Sequence, residues 1–196
     1  MKTLVILFAD SGSLHIFDKI FDGKSAFDRS LEWANKVCAL NEFFDDSEIF
    51  VFASEKNEQK CRNEISASGA NANVVSRKNW TVSGLFESFS TLLKEKKADS
   101  VIYAWADCPF LNIEVTKEII STHNECLAEY TFADGYPNGL CPEEIDSGAA
   151  SLLFELTKSG AASGVSSAAF SVGSKNISRT SVFDLIKTDI NSFEVE

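Results

Sequence analysis

The sequence predicts an α/β fold of three layers, with a mostly parallel central sheet and helices on both faces. Three short, continuous apolar runs, at residues 3–9, 49–53 and 100–105, have the length and composition of strands that are buried on both faces. Segments with helical periodicity separate these runs. Such alternation of strand and helix over the first 130 residues is typical of a parallel sheet with right-handed crossovers.

The helices are predicted from their start signals, stop signals and periodicity. Ser25 and Asp28 have the spacing of a capping box, and Gly69 and Asn112 mark the end of one helix and the beginning of another. Residues 82–97 carry apolar side chains at helical spacing and lysines in the last turn. In chain order, the predicted helices cover residues 25–38, 56–68, 82–97, 112–127, 146–157 and 182–187, and two further short strands are expected at residues 74–75 and 130–133.

Composition excludes several classes of protein. The chain has 196 residues, of which 44% are hydrophobic, enough to form a full core. Its 18 Lys and Arg residues against 29 Asp and Glu residues give a formal charge of −11, which argues against nucleic-acid and anionic-membrane partners. The apolar run at residues 4–9 is too short to span a membrane. Five cysteines without a C-x-x-C pair favour a reducing, cytoplasmic location.

The length favours one domain, which we expect to cover residues 1–187. The acidic segment 188–196 carries no evident stop signal. It predicts the start of a linker to a covalently attached downstream domain.

Two carboxylates point to a ligand site. Asp10 follows directly after one predicted buried strand, and Asp107 comes two residues after the end of another. Ligands of open α/β sheets bind outside the carboxyl ends of the strands, so we expect a cleft at these two residues.

Residues 103–145 carry a resemblance to a known family. The sequence Asp107-Cys-Pro-Phe-Leu111 is followed, after a predicted helix, by Tyr136-Pro-Asn-Gly-Leu140 and by Glu143. The order and spacing of these motifs resemble the cytidylyltransferases of the spore-coat polysaccharide type, which belong to the GT-A-like sugar nucleotidyltransferases. The resemblance implies a nucleotide-diphospho-sugar transferase-like fold. It also implies an enzyme that joins a nucleotide from CTP or a similar NTP to a sugar or sugar acid with Mg²⁺.

The resemblance assigns roles to several of these residues. Asp107 matches the family's metal aspartate and would hold Mg²⁺ on triphosphate oxygens, with Asp10 as a second ligand if another ion bridges it to the phosphates. Tyr136, Gly139 and Glu143 match the segment that contacts the sugar. An alternative interpretation gives Asp107 and Glu143 only structural roles, as a turn cap and a solvated surface charge.

The first loop matches the family's nucleotide cradle only in part. Ala9, Gly12, Ser13 and Lys19 match; backbone N–H groups at Gly12 and Ser13 would bind phosphate oxygens, and Lys19 would act as a catalytic point charge. Arg77 matches an arginine of a later loop and would also contact the nucleotide.

The chain departs from the family at three arginine positions, which hold Asp10, His15 and Tyr103 here. Arginine clamps stabilise charge on a transferring phosphoryl group, and an aspartate at such a position repels a triphosphate. Two hypotheses follow. Either the transfer chemistry is arranged around metals and lysines, or the domain binds a nucleotide or sugar without transfer.

The sequence is also compatible with other interpretations. The amino-terminal domain of the spiro-SPASM proteins is also similar, which would make this chain the non-catalytic part of a larger radical-SAM/SPASM protein. An aspartyl phosphatase of the haloacid-dehalogenase kind needs Asp-x-Asp, and Phe8 stands where the nucleophile would be. A thiol enzyme that uses Cys108 lacks an evident histidine partner.

Overall fold

The computed structural model describes residues 1–10, 15–158 and 167–196. Within these segments a six-stranded sheet has the order β3-β2-β1-β4-β6-β5. The strands are β1 (Lys2–Phe8), β2 (Asp46–Ser54), β3 (Ala72–Arg77), β4 (Ser100–Trp105), β5 (Tyr130–Thr131) and β6 (Glu143–Asp146). The helices are α1 (Ala26–Cys38), α2 (Glu55–Ser68), α3 (Val82–Lys96), α4 (Ile113–Cys126), α5 (Ser147–Lys158), α6 (Ser167–Gly173) and α7 (Ser181–Ile186), followed by the 3₁₀ helix η1 (Lys187–Ser192).

The sheet is mixed. Strands β1 to β4 are parallel, with Phe8 opposite both Phe52 and Trp105. Strand β6 runs antiparallel to β4 and places Glu143 opposite Tyr103, and β5 pairs antiparallel with β6. The mostly parallel α/β sheet of the prediction is therefore confirmed, with two antiparallel strands at one edge.

Local start and stop signals act as the sequence indicates. The Ser25 side chain accepts the Asp28 backbone N–H while the Asp28 carboxylate accepts the Ser25 N–H, which completes the capping box of α1. Asn112 caps α4 through the backbone N–H groups of its first turn. Gly69 ends α2 in the left-handed conformation at φ 70°, which a residue without Cβ adopts at little cost.

Two apolar cores lie on the two faces of the sheet. Successive side chains of β1 alternate between them, with Leu4, Ile6 and Phe8 on one side and Val5 and Leu7 on the other. Helices α3, α5 and α7 cover the first face, and α1, α2 and α4 cover the second. This confirms the three layers that the sequence predicts.

The end of the chain is folded onto the sheet. Phe193 is 7% exposed, and Val195 forms a parallel bridge with Tyr130 of β5. The Glu194 carbonyl accepts the backbone N–H groups of Glu129 and Tyr130. Residues 188–196 thus cover the edge of β5, and their role as the start of a linker stays a prediction. A downstream domain stays a prediction. None of the helices among the described residues has the length and apolar character needed to cross a membrane.

Candidate functional site

The carboxyl ends of β1 and β4 lie side by side. Phe8 and Trp105 are the last paired residues, and Asp10 and Asp107 each follow two positions later. The Ala106 N–H donates to the Phe8 carbonyl at 2.9 Å and continues the pairing past the strand ends. Asp10 and Asp107 are thus at one edge of the sheet, where the sequence predicts the cleft.

Two adjoining cavities open at this edge. The first cavity, of about 310 Å³, is lined by Tyr136, Gly139 and Glu143, the three residues that the resemblance assigns to the sugar. The second cavity, of about 380 Å³, contains Asp107. The two share the wall formed by Cys108, Pro137, Asn138, Gly139 and Arg179. The structure therefore brings the predicted metal aspartate and the predicted substrate residues to one region.

Gly139 lets the 137–140 loop approach the strand end. Its φ is +87°, and a Cβ at this position would lie 2.9 Å from the Cys108 Sγ. A larger residue would meet both backbone strain and a steric contact. The glycine thus sets the shape of the wall between the cavities.

Glu143 is held by two phenols. The hydroxyls of Tyr103 and Tyr130 both donate to its Oε2, each at 2.5 Å. Burial raises the pKa of the Glu143 carboxyl, and the two hydrogen bonds oppose this rise by stabilising its charged form. Among the described residues, none has a hydrogen bond with the second oxygen, Oε1. The Glu143 Oε1 is therefore available to accept a hydrogen bond from a ligand hydroxyl.

Aromatic rings form one wall of the first cavity. The rings of Tyr130 and Phe132 are stacked with their centres 5.6 Å apart, and the ring centres of Phe132 and Phe183 lie 4.9 Å apart. Trp105 also lines the cavity, and its buried Nε1 has no hydrogen-bond partner among the described residues. Rings combined with a carboxylate suit a ligand that has both apolar faces and hydroxyl groups.

Arg179 enters the site from the loop before α7, and sequence reasoning did not assign it a role. Its Nη2 donates to the Asp107 Oδ1 at 2.7 Å and its Nη1 to the Cys108 Sγ at 3.1 Å. The guanidinium carbon lies 5.0 Å from the centre of the Trp105 ring. No motif marks this residue, and 72 positions separate it from Asp107. The scarcity of arginine was the one signal in the sequence that could have drawn attention to it.

The donor set at Asp107 does not fit a metal site built by the protein. The Oδ1 of Asp107 is already paired with Arg179. Among residues 1–10, 15–158 and 167–196, no group of three His, Cys, Asp or Glu side chains could hold a metal ion. Mg²⁺ at Asp107, with or without Asp10, stays a prediction.

Lys19 lies apart from these cavities. Its ammonium pairs with Asp28 and Glu64, both at 2.7 Å, and these ion pairs raise the pKa of the lysine. It lines a separate cavity of about 290 Å³ between α1 and α2. The structure therefore does not bring Lys19 to Asp107, and its catalytic role stays a prediction.

The other residues of the predicted nucleotide cradle are not gathered at the two cavities either. Ala9 is buried, and its carbonyl accepts from the Asn57 side chain. Arg77 pairs with Glu87 of α3 at 2.8 Å. Gly12 and Ser13 lie outside the described residues. Their roles stay predictions.

The thiol hypothesis gains no support from the geometry. Burial raises the pKa of the Cys108 thiol, although the adjacent Arg179 opposes the rise. A raised pKa keeps the sulfur protonated at neutral pH, and a protonated thiol is a weak nucleophile.

Known structures share this arrangement of strands and helices. A cytidylyltransferase from Leptospira borgpetersenii serovar Hardjo-bovis (strain JB197) superposes with a TM-score of 0.65 at 15% identity, covering 100% of this chain and 74% of that one. A 4-diphosphocytidyl-2C-methyl-D-erythritol synthase from Anaerococcus prevotii DSM 20548 superposes with a TM-score of 0.59 at 16% identity, with 97% of each chain covered. The fold is that of the nucleotide-diphospho-sugar transferases. At such low identity, the likeness confirms this predicted fold and no more.

A further structural neighbour shows how widely the fold is used. The molybdopterin-guanine dinucleotide biosynthesis protein A from Archaeoglobus fulgidus has a TM-score of 0.52 at 14% identity, covering 100% of this chain and 81% of that one. The likenesses therefore support a nucleotidyltransferase-type fold. The spore-coat type and the spiro-SPASM type both stay predictions.

Sequence comparison gives one partial relative. No model of a known protein family matches the chain. An uncharacterized protein of Treponema pallidum (strain Nichols) is 36% identical over 63 residues, which is 32% of this chain and 29% of that protein. The match thus spans less than a third of the relative's length.

Proposed function

We propose that this chain is a cytidylyltransferase-like protein, which joins a nucleotide from CTP or a similar NTP to a sugar or sugar acid. One observation carries the proposal. Tyr136, Gly139 and Glu143, the residues assigned to the sugar by resemblance, line a single cavity beside Asp107 and Arg179. The cavity lies at the carboxyl ends of the strands in a nucleotidyltransferase-type fold, where such sheets bind their ligands.

The side chains of the cavity suggest how a sugar would be held. The Glu143 Oε1 accepts a hydroxyl hydrogen, while Tyr103 and Tyr130 fix the orientation of the carboxylate through Oε2. The ring faces of Trp105 and Tyr136 supply apolar contact. In this proposal the nucleotide lies towards Ala9, Gly12, Ser13 and Arg77.

The first test measures nucleotide binding. Thermal shift and calorimetry with CTP, UTP, GTP and ATP, each with and without Mg²⁺, should single out at least one nucleotide at millimolar concentration. If no nucleotide raises the melting temperature under either condition, the proposal is overturned.

The second test measures transfer. Release of pyrophosphate from the bound NTP is assayed with a panel of sugars, sugar acids and sugar phosphates. Glu143→Gln should raise the KM for the sugar at least tenfold, because the amide alters both the charge and the acceptor geometry. Glu118→Gln is the matched control, since Glu118 is exposed on α4. Equal kinetics for the two variants would contradict the assignment of Glu143.

A second candidate function is binding without transfer. It is favoured by Lys19, which is paired with Asp28 and Glu64 rather than directed to Asp107. In this case the chain is a nucleotide- or sugar-binding domain of a larger protein, such as a radical-SAM/SPASM protein. Nucleotide binding without pyrophosphate release for any sugar in the panel would favour this candidate.

A further inference from the structure

The Arg179–Asp107 pair occupies the place where the resemblance puts a metal ion. The guanidinium contacts the Asp107 carboxylate at 2.7 Å, so a positive charge already lies on the oxygen that would ligate Mg²⁺. Arg179 is also the single cationic residue among the described residues that line either cavity. An anionic group that enters the site therefore meets this one positive charge.

We propose that Arg179 binds a phosphate group of the ligand directly, without a divalent cation. This inference rests on the proposed function only for the location of the site. Arginine suits the task because its planar fork of N–H donors matches phosphate oxygens. A nucleotide and a sugar phosphate present the same phosphate oxygens, so either ligand fits this contact.

The contacts of Arg179 leave it capacity for a ligand. A guanidinium has five N–H donors, and among the described residues two of them have partners, at Asp107 and at Cys108. The nearby Trp105 ring restricts the guanidinium plane, which reduces the entropy lost when a ligand binds. The Arg179 side chain is 40% exposed, so a ligand can reach it from solvent.

In this proposal Asp107 weakens the binding of phosphate. Its carboxylate neutralises the charge of Arg179, so a phosphate has to compete with the carboxylate for the guanidinium. Removing the carboxylate charge should then tighten phosphate binding in the absence of metal. A metal-ligand role for Asp107 predicts instead no effect without metal and weaker phosphate binding in Mg²⁺, because the same change would remove the ion that holds the phosphate.

The test is calorimetry of the full chain with inorganic pyrophosphate and with inorganic phosphate, in EDTA and in Mg²⁺. In EDTA, Arg179→Ala should weaken binding at least tenfold, and Asp107→Asn should tighten it several-fold. Arg62→Ala is the matched control, since Arg62 is an exposed arginine paired with Glu58 on α2, and it should leave the Kd unchanged. Arg179→Lys should recover only part of the affinity. Circular dichroism and melting temperature check that each variant is folded.

Three results in EDTA would overturn the inference. The first is that neither anion binds at millimolar concentration, and the second is that folded Arg179→Ala has an unchanged Kd. The third is that Asp107→Asn binds the anion more weakly than the wild type does. Failure of the proposed function is a separate result. A chain that binds pyrophosphate through Arg179 but never releases it from an NTP refutes transfer and leaves this inference standing.

Discussion

Glu144 makes the stability of the protein depend on pH. Its side chain is fully buried, on the α4 face of the sheet. The Ser100 hydroxyl donates to Oε1 at 2.9 Å, while the buried Oε2 has no partner among the described residues. Burial raises the pKa of this carboxyl to about 8, because the charged form loses hydration without gaining an ion pair.

The size of the effect follows from the two pKa values. Unfolded chain releases the proton near pH 4.5, whereas the native state retains it up to about pH 8. The free energy of unfolding should therefore fall by ~1.4 kcal/mol per pH unit across this window, by roughly 5 kcal/mol in total. The stabilising difference is present in full below pH 4.5 and is lost as pH rises through 8.

Glu144→Gln is the perturbation that isolates this effect, because the amide has nearly the same shape and cannot ionise. Urea unfolding at pH 6.5, 7.5 and 8.5 gives the free energy of unfolding for both proteins. The free energy of unfolding of the wild type should fall by about 2 kcal/mol more over this range than that of Glu144→Gln. Parallel pH profiles for the two proteins would refute the reasoning.

Three further outcomes are expected. Burial lowers the pKa of His123 to about 4, so stability should fall by roughly 3 kcal/mol as pH drops from 6.5 to 4, and urea unfolding of His123→Gln should not show this fall. In urea unfolding, Gly139→Ala should lower the free energy of unfolding by roughly 1–3 kcal/mol more than Gly135→Ala does. Both glycines have a positive φ, but only at Gly139 would the added Cβ meet the Cys108 thiol. Equal costs would contradict the steric argument. Tyr103→Phe should raise the pKa of the Glu143 carboxyl, measured by carbon NMR, because a hydrogen bond to its charged form is lost.

Features set by neighbours in sequence were predicted well. The capping box of Ser25 and Asp28 and the Asn112 cap depend on side chains and backbone within one helical turn, so the residue types alone indicate them. The buried strands followed from continuous apolar runs. The position of Asp107 at the carboxyl end of β4 followed from the strand that precedes it.

Features that depend on distant contacts could not be predicted in this way. Lys19 has the sequence position of a phosphate ligand, yet its partners Asp28 and Glu64 lie 9 and 45 residues away and compete for its charge. Glu143 meets Tyr103 only because β6 runs antiparallel to β4, which a motif search does not show. The folded segment 188–196 likewise depends on pairing with the edge of β5.

The distribution of arginines connects the acidic composition to the site. Three of the four arginines pair with acidic side chains away from the two cavities: Arg29 with Asp22, Arg62 with Glu58 and Arg77 with Glu87. The resembling family has an arginine on the strand before its metal aspartate. Tyr103 stands at that position here, and its uncharged hydroxyl donates a hydrogen bond to Glu143. The fourth arginine, Arg179, returns a positive charge to the same region from a different part of the chain. Because a net charge of −11 repels anions at long range, a phosphate ligand would depend on this single short-range contact.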